Sequence, residues 1–161
     1  MEIDREGHAI QVGALITLLQ QLEFVARRAI AKAAQPQFSA AYLRTIQPGD
    51  VVPKDPLNDY RTLWKVLEDF NEHAHADRQL DVRALVDLRD QLAHGRVTAF
   101  EPKFPLTLLK FAKPSDNGQV RLLAKAEMTA AWFSEGLNLV KDAIDKVRVV
   151  EEGGEQNGQT R

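Results

Sequence analysis

Four stretches of this chain repeat apolar residues at steps of three and four, and that period commits most of the molecule to helices. From His8 to Ala34 the stripe is Leu15, Leu18, Leu19, Leu22, Val25, Ala26, Ala29 and Ile30, with good helix formers between them. At 1.5 Å per residue this is one helix of roughly 40 Å. Arg27, Arg28 and Lys32 near its end suit the negative pole of a helix dipole. Asp55-Pro56 supplies a cap and a preset first helical residue. From there Leu57, Tyr60, Leu63, Trp64, Leu67 and Phe70 carry a second stripe to about Ala74. HADRQL then makes a short turn before Asp81 caps a third helix, DVRALVDLRDQLAHGR, and a link so short predicts antiparallel neighbours. A last helix from about Thr129 presents Phe133, Leu137, Val140, Ile144 and Val147 at the spacing of a bundle seam.

The segments between the stripes carry the breakers. Residues 35–56 hold Pro36, Pro48, Gly49, Pro53 and Pro56, which predicts a long connection with at most a turn of helix near Ala40 to Leu43, packed down by Phe38, Tyr42, Leu43 and Ile46. Pro102 and Pro105 exclude helix after Gly95. Two apolar runs, Leu106 to Ala112 and Gln119 to Lys125, flank Ser115-Asp116-Asn117-Gly118 and read as a β-hairpin at about 106–125. The expected fold is therefore mainly α: an antiparallel four-helix-type bundle with a β-hairpin inserted before the last helix. It forms one domain over residues 1–150, and the tail EEGGEQNGQTR at 151–161, without an apolar residue, is expected to be disordered.

Composition excludes whole classes of chemistry. The 161 residues include no cysteine, so disulfides, thiolate catalysis and cysteine-ligated zinc are ruled out. A net charge of −2 argues against a protein that coats nucleic acid indiscriminately, so any RNA contact must be a local patch. No uninterrupted apolar run reaches the length of a membrane span and the first residues lack the order of a signal peptide, so no membrane role and a cytoplasmic location are expected. His73-Ala-His75-Ala-Asp77 resembles the opening of a metallo-hydrolase signature, but position 78 is arginine and the segment ends a helix; neither a metal nor another cofactor is expected. Ser39, Ser115 and Ser134 have no histidine and acid at recognisable spacing.

The third helix holds the anomaly. Val82, Leu85, Val86, Leu92 and Ala93 define its apolar stripe, and at about 100° per residue Arg89 falls roughly 40° from Leu85 and Ala93, inside that stripe. A guanidinium cannot be deprotonated, so it must snorkel to water, find a carboxylate, or face a cleft or a second subunit. Five residues on is His94, followed by Gly95. Arg89-Asp90-Gln91-Leu92-Ala93-His94, with a polar residue after the arginine and a histidine near the helix end, resembles the motif of HEPN domains, found in bacterial toxins, phage-defence proteins and related RNases. The resemblance covers most of residues 8–148. It implies a metal-independent endoribonuclease with a composite cleft at a homodimer interface, of the kind paired with an antitoxin or regulatory protein.

The residue chemistry is compatible with that expectation. RNA is cut without metal when its own 2′-hydroxyl attacks the adjacent phosphate, which needs a base, an acid and positive charge beside the phosphorane. Histidine, with an ordinary pKa near 6.5, serves as acid or base, and arginine binds phosphate oxygens in pairs. Two subunits related by a twofold axis would supply two His94 and two Arg89. His94 lies about 140° from Arg89 around the helix, so the close neighbour is Asp90, one turn away. Asp90 either orients His94 or pairs with the partner subunit's Arg89. Arg96, about two turns past Arg89, extends the phosphate path. The rival reading is a non-catalytic helical module that dimerises, or binds a partner or a nucleotide, through the same cleft.

Overall fold

The computed structural model describes the backbone of residues 4–99 and 104–156, and the side chains of that set as far as residue 150. It is mainly helical with a small antiparallel sheet of three strands. The elements are α1 (Arg5–Ala34), a 3-10 helix (Ala40–Arg44), α2 (Leu63–His73), a 3-10 turn (Ala76–Arg78), α3 (Val82–His94), β1 (Arg96–Thr98), β2 (Thr107–Phe111), β3 (Leu122–Glu127) and α4 (Ala130–Gln156). The span read as one domain holds two compact units, Met1–Leu19 with Arg83–Lys141 and Gln20–Val82 with Asp142–Arg161, so that each uses part of α1 and part of α4.

In the first unit, Leu15, Leu19, Leu85, Leu88, Leu108, Met128, Phe133 and Val140 are buried. A side-chain carbon at Gly136 would meet Leu15 at 3.3 Å and Leu88 at 3.4 Å, so α4 passes α1 and α3 at a distance that a larger residue would strain. His8 is buried between the rings of Phe104 and Phe133, with centroids 5.6 and 5.4 Å away, and its Nδ1 has no partner among the described residues. Strands β2 and β3 pair antiparallel, and Ser115 N donates to Gln119 O (2.8 Å) in the segment between them. A third strand, β1, follows α3 directly and pairs with β2 through Arg96–Leu109, Val97–Leu108 and Thr98–Thr107. Its three residues carry too little pattern to be read from sequence.

In the second unit, Leu22, Val25, Ala26, Leu63, Val66, Leu67, Phe70, Ile144 and Val147 are buried. Asn71 brackets the chain after α2, donating to Leu80 O (2.9 Å) and accepting from Leu80 N (2.8 Å). The second helix starts at Leu63, not at Pro56, with Thr62 as its cap. Two local facts account for the correction. The Asp55 carboxylate takes the amides of Leu57 and Asn58 at 2.8 and 3.2 Å, which closes a turn. The carbonyls of Pro56, Asp59 and Arg61 accept from the Arg27 guanidinium at 3.0, 3.4 and 2.8 Å, facing it instead of a helical ladder. Tyr60, expected on the buried stripe, is fully exposed, and Trp64 is exposed as well.

Arg27 is itself a correction: it is buried and saturated, not a dipole partner at a helix end. Besides the three carbonyls it holds Glu23 through Nε and Nη2 (3.0 and 2.8 Å) and Asp59 through Nη1 (2.7 Å). Burial works against its charge, and the two carboxylates outweigh that effect, so its pKa is raised. The 35–56 connection packs more loosely than expected. Phe38, Tyr42 and Leu43 are half-buried and Ile46 is exposed. Helix α4 runs to Gln156, beyond the 150 boundary, while the rest of the expected tail, 157–161, lies outside the described residues. Finally, α1 is long and apolar enough to cross a membrane by length and composition, with a mean hydropathy of 1.4 over its best window. A count of uninterrupted apolar residues does not reveal this, because the helix lacks charge between Gly7 and Leu22 yet is interspersed with glutamine and threonine.

Candidate functional site

Helix α3 places Arg89 where its sequence does, on the arc between buried Leu85 and Val86, and the side chain escapes by reaching a carboxylate. Arg89 Nη1 lies 3.0 Å from Asp90 Oδ1, and about a third of its side chain remains exposed. The other Asp90 oxygen lies 3.7 Å from Lys110 Nζ on β2, so one carboxylate sits between two cations. Lys110 is the residue that sequence reasoning missed. A signal existed: in the run LTLLKFA it is the one charge, and strand alternation puts it on the face of buried Leu108, toward α3.

His94 is exposed at the last position of α3, one turn beyond Asp90, but makes no hydrogen bond with it. The orienting contact expected of Asp90 is thus replaced by contacts to Arg89 and Lys110. Coulomb attraction explains the choice: the carboxylate turns to the charged ends of Arg89 and Lys110.

Arg96 departs from expectation more sharply, because α3 ends at His94 and Arg96 opens β1. It opposes Leu109 in the ladder, and opposed residues share a face, so Arg96 projects to the side opposite Lys110. There its guanidinium lies over Phe111, 5.5 Å from the ring centroid. Arg89, Asp90 and Lys110 therefore form one cluster, His94 adjoins it along the helix, and Arg96 is separate from it.

Gly95 has a packing cause. An added side-chain carbon would collide with the carbonyl of Gln91 and meet Leu108 at 3.1 Å, and Gly95 N donates to that same carbonyl at 2.8 Å. The absence of a Cβ lets the chain leave the helix against β2 and holds His94 at the edge of the cluster.

The two histidines of the metal-like motif go separate ways. His73 Nδ1 contacts the carbonyl of Asp69 (2.8 Å) and His75 Nδ1 contacts Asp77 (2.7 Å), and among the described residues no three metal-binding side chains converge. The chain matches no protein-family model, no curated protein and no solved structure.

Proposed function

We propose that the chain is a metal-independent endoribonuclease of HEPN type, working as a homodimer whose α3 helices face each other. The supporting observation is Arg89: a partly exposed guanidinium on the apolar arc of α3, in one cluster with Asp90 and Lys110, next to an exposed His94. In this reading the 2′-hydroxyl oxygen attacks the adjacent phosphorus, and one His94 imidazole takes the hydroxyl proton. The bond from phosphorus to the 5′-oxygen breaks, and the second His94, protonated, donates to that oxygen, leaving a cyclic phosphate and a free 5′-hydroxyl. Arg89 and Lys110 bind the phosphoryl oxygens as their negative charge grows. Asp90 holds the two cations side by side and is a positioning residue. Arg96 takes a flanking phosphate from the other face of the sheet. An antiparallel four-helix bundle carrying the hairpin as an insert belongs to the same proposal, as do a cytoplasmic setting, no membrane role, and use as a toxin or phage-defence effector held by an antitoxin or regulator.

A second reading has its own observation. Asp90 already satisfies Arg89 in part and makes no bond to His94, an arrangement that suits a non-catalytic dimerisation or partner-binding module. RNA incubated with purified protein in EDTA separates the two. Cleavage that falls about 10²- to 10⁴-fold in His94→Ala, the range for losing a general acid or base, supports the nuclease. Cleavage that survives the substitution removes His94 from the mechanism, and a dimeric wild type that cleaves nothing leaves the binding module.

A further inference from the structure

The outer face of the sheet carries a surface that the Arg89 cluster does not use. Strand register defines it: Arg96 opposes Leu109 and Phe111 opposes Leu122, so these four side chains share the face turned away from Lys110. Arg96 is exposed, and its guanidinium lies over the Phe111 ring, 5.5 Å from the centroid. Leu122, opposite that ring, is 46% exposed. Lys113, two residues past Phe111, falls on the same side by strand alternation and is exposed as well. Among the described residues no carboxylate pairs with Arg96 or Lys113. From Arg96 to Glu127 the sequence holds six lysines and arginines against three acidic residues, although the whole chain has a net charge of −2.

The parts of this surface are arranged before anything binds. Strand β1 begins directly after Gly95, ladder pairing with Leu109 fixes the Arg96 backbone, and the ring of Phe111 limits where the guanidinium lies. A guanidinium held over a ring keeps N–H donors for phosphate oxygens and adds a planar surface on which a base stacks. An acidic peptide would also match the charge, but ring and planar cation together favour nucleotide bases, which offer a π-face at every position.

We propose that this face binds single-stranded RNA, one base stacked on Arg96 and Phe111 beside Leu122, with the adjoining phosphates on Arg96 and Lys113. In a duplex the bases are stacked on one another, so a platform of this kind selects unpaired segments. The choice of RNA rests on the nuclease reading, and the proposal narrows that reading to a single-stranded substrate.

Fluorescence anisotropy on the full chain tests it with a short labelled 2′-fluoro oligouridylate, which has no 2′-hydroxyl to attack and so reports binding whether or not the protein cuts. This strand should bind about tenfold or more tightly than its duplex with the complement, an oligomer of the same length without bases, or an oligoglutamate. Arg96→Ala should weaken binding about tenfold, and Phe111→Leu should remove most of the advantage over the oligomer without bases. Lys113→Ala should lower the slope of log affinity against log salt by about 0.7. Arg121 opposes Ala112, through Ala112 N to Arg121 O at 2.8 Å, and so lies on the other face; Arg121→Ala should keep the advantage over the oligomer without bases. A circular-dichroism melt identifies any variant that fails to fold, and exposed Arg96 serves where Phe111→Leu does. The assignment is overturned if the duplex, the oligomer without bases or the oligoglutamate binds as tightly as the single strand, or if folded Arg96→Ala and Phe111→Leu both bind as wild type does. Ordinary RNA assayed in parallel keeps the two readings apart: binding without cleavage leaves this surface and removes the nuclease, and cleavage while both variants bind as wild type does the reverse.

Discussion

Arg27 and Arg89 both rise from the apolar side of a helix, and the fold treats them in opposite ways. Arg27 has every arm engaged: two carboxylates and three backbone carbonyls converge on it, and the chain from Pro56 to Arg61 is shaped by doing so. Arg89 meets one carboxylate, that of its own neighbour, which it shares with Lys110, and no carbonyl among the described residues. The same residue type is a structural hub in the first case and a cation with unused donors in the second. The difference lies in how completely the surroundings satisfy a fixed fork of five donors, and not in burial pattern alone.

The sharpest way to break this contrast is Arg27→Met. Removing one partner of a buried ion pair while its carboxylate and carbonyls stay in place should cost about 3–5 kcal/mol, read as a fall in the urea midpoint. A loss below about 1 kcal/mol, the level of a surface pair, would erase the distinction between the two arginines. Gly95→Ala comes next. Overpacking against Gln91 and Leu108 should cost about 1–3 kcal/mol. An unchanged midpoint would mean that the passage from α3 to β1 is looser than its contacts suggest.

Acid sharpens the comparison further, because the Arg27 hub brings titrating carboxylates with it. Burial pushes the Asp59 carboxyl up, but hydrogen bonds from Arg27 and Arg61 outweigh burial and hold it below the ordinary range. Asp69, where burial is likewise outweighed by Lys65 and Arg61, is also held low. A carboxyl depressed by folding contributes stability above its unfolded value, near about 4, and loses that contribution as pH falls through the folded value. His8, lowered by burial between two rings, acts at a higher window: its contribution is full above about 6.5 and declines as the unfolded chain takes up the proton. Stability measured against pH should therefore fall in two stages. Arg27→Met should flatten the lower and His8→Leu the upper, and a profile in which either variant keeps its stage contradicts the assignment.

What could be read from the sequence follows the range of the forces involved. The helical period is local, so α1, α3 and α4 and the turn at Ser115 to Gly118 were legible. The start of α2 was not, because Arg27 acts on carbonyls 29 to 34 residues away and overrides a good local cap at Asp55. At the candidate site Arg89, Asp90 and His94 could be picked out on one helix. Lys110 came from a strand whose pairing was needed to see it, and Arg96 was misplaced because Gly95 ends the helix one residue earlier.

The smallest expected change in stability carries the largest consequence for function, and it comes from Arg89→Met measured for both. As a half-exposed pair with Asp90, Arg89 should contribute no more than about 1 kcal/mol to the urea midpoint. In the proposed nuclease, Arg89 is the cation that meets the developing phosphorane charge, so RNA cleavage in EDTA should fall about 10²- to 10³-fold in the same sample. A variant that unfolds as readily as Arg27→Met, or a folded one that cleaves RNA at the wild-type rate, would contradict the account.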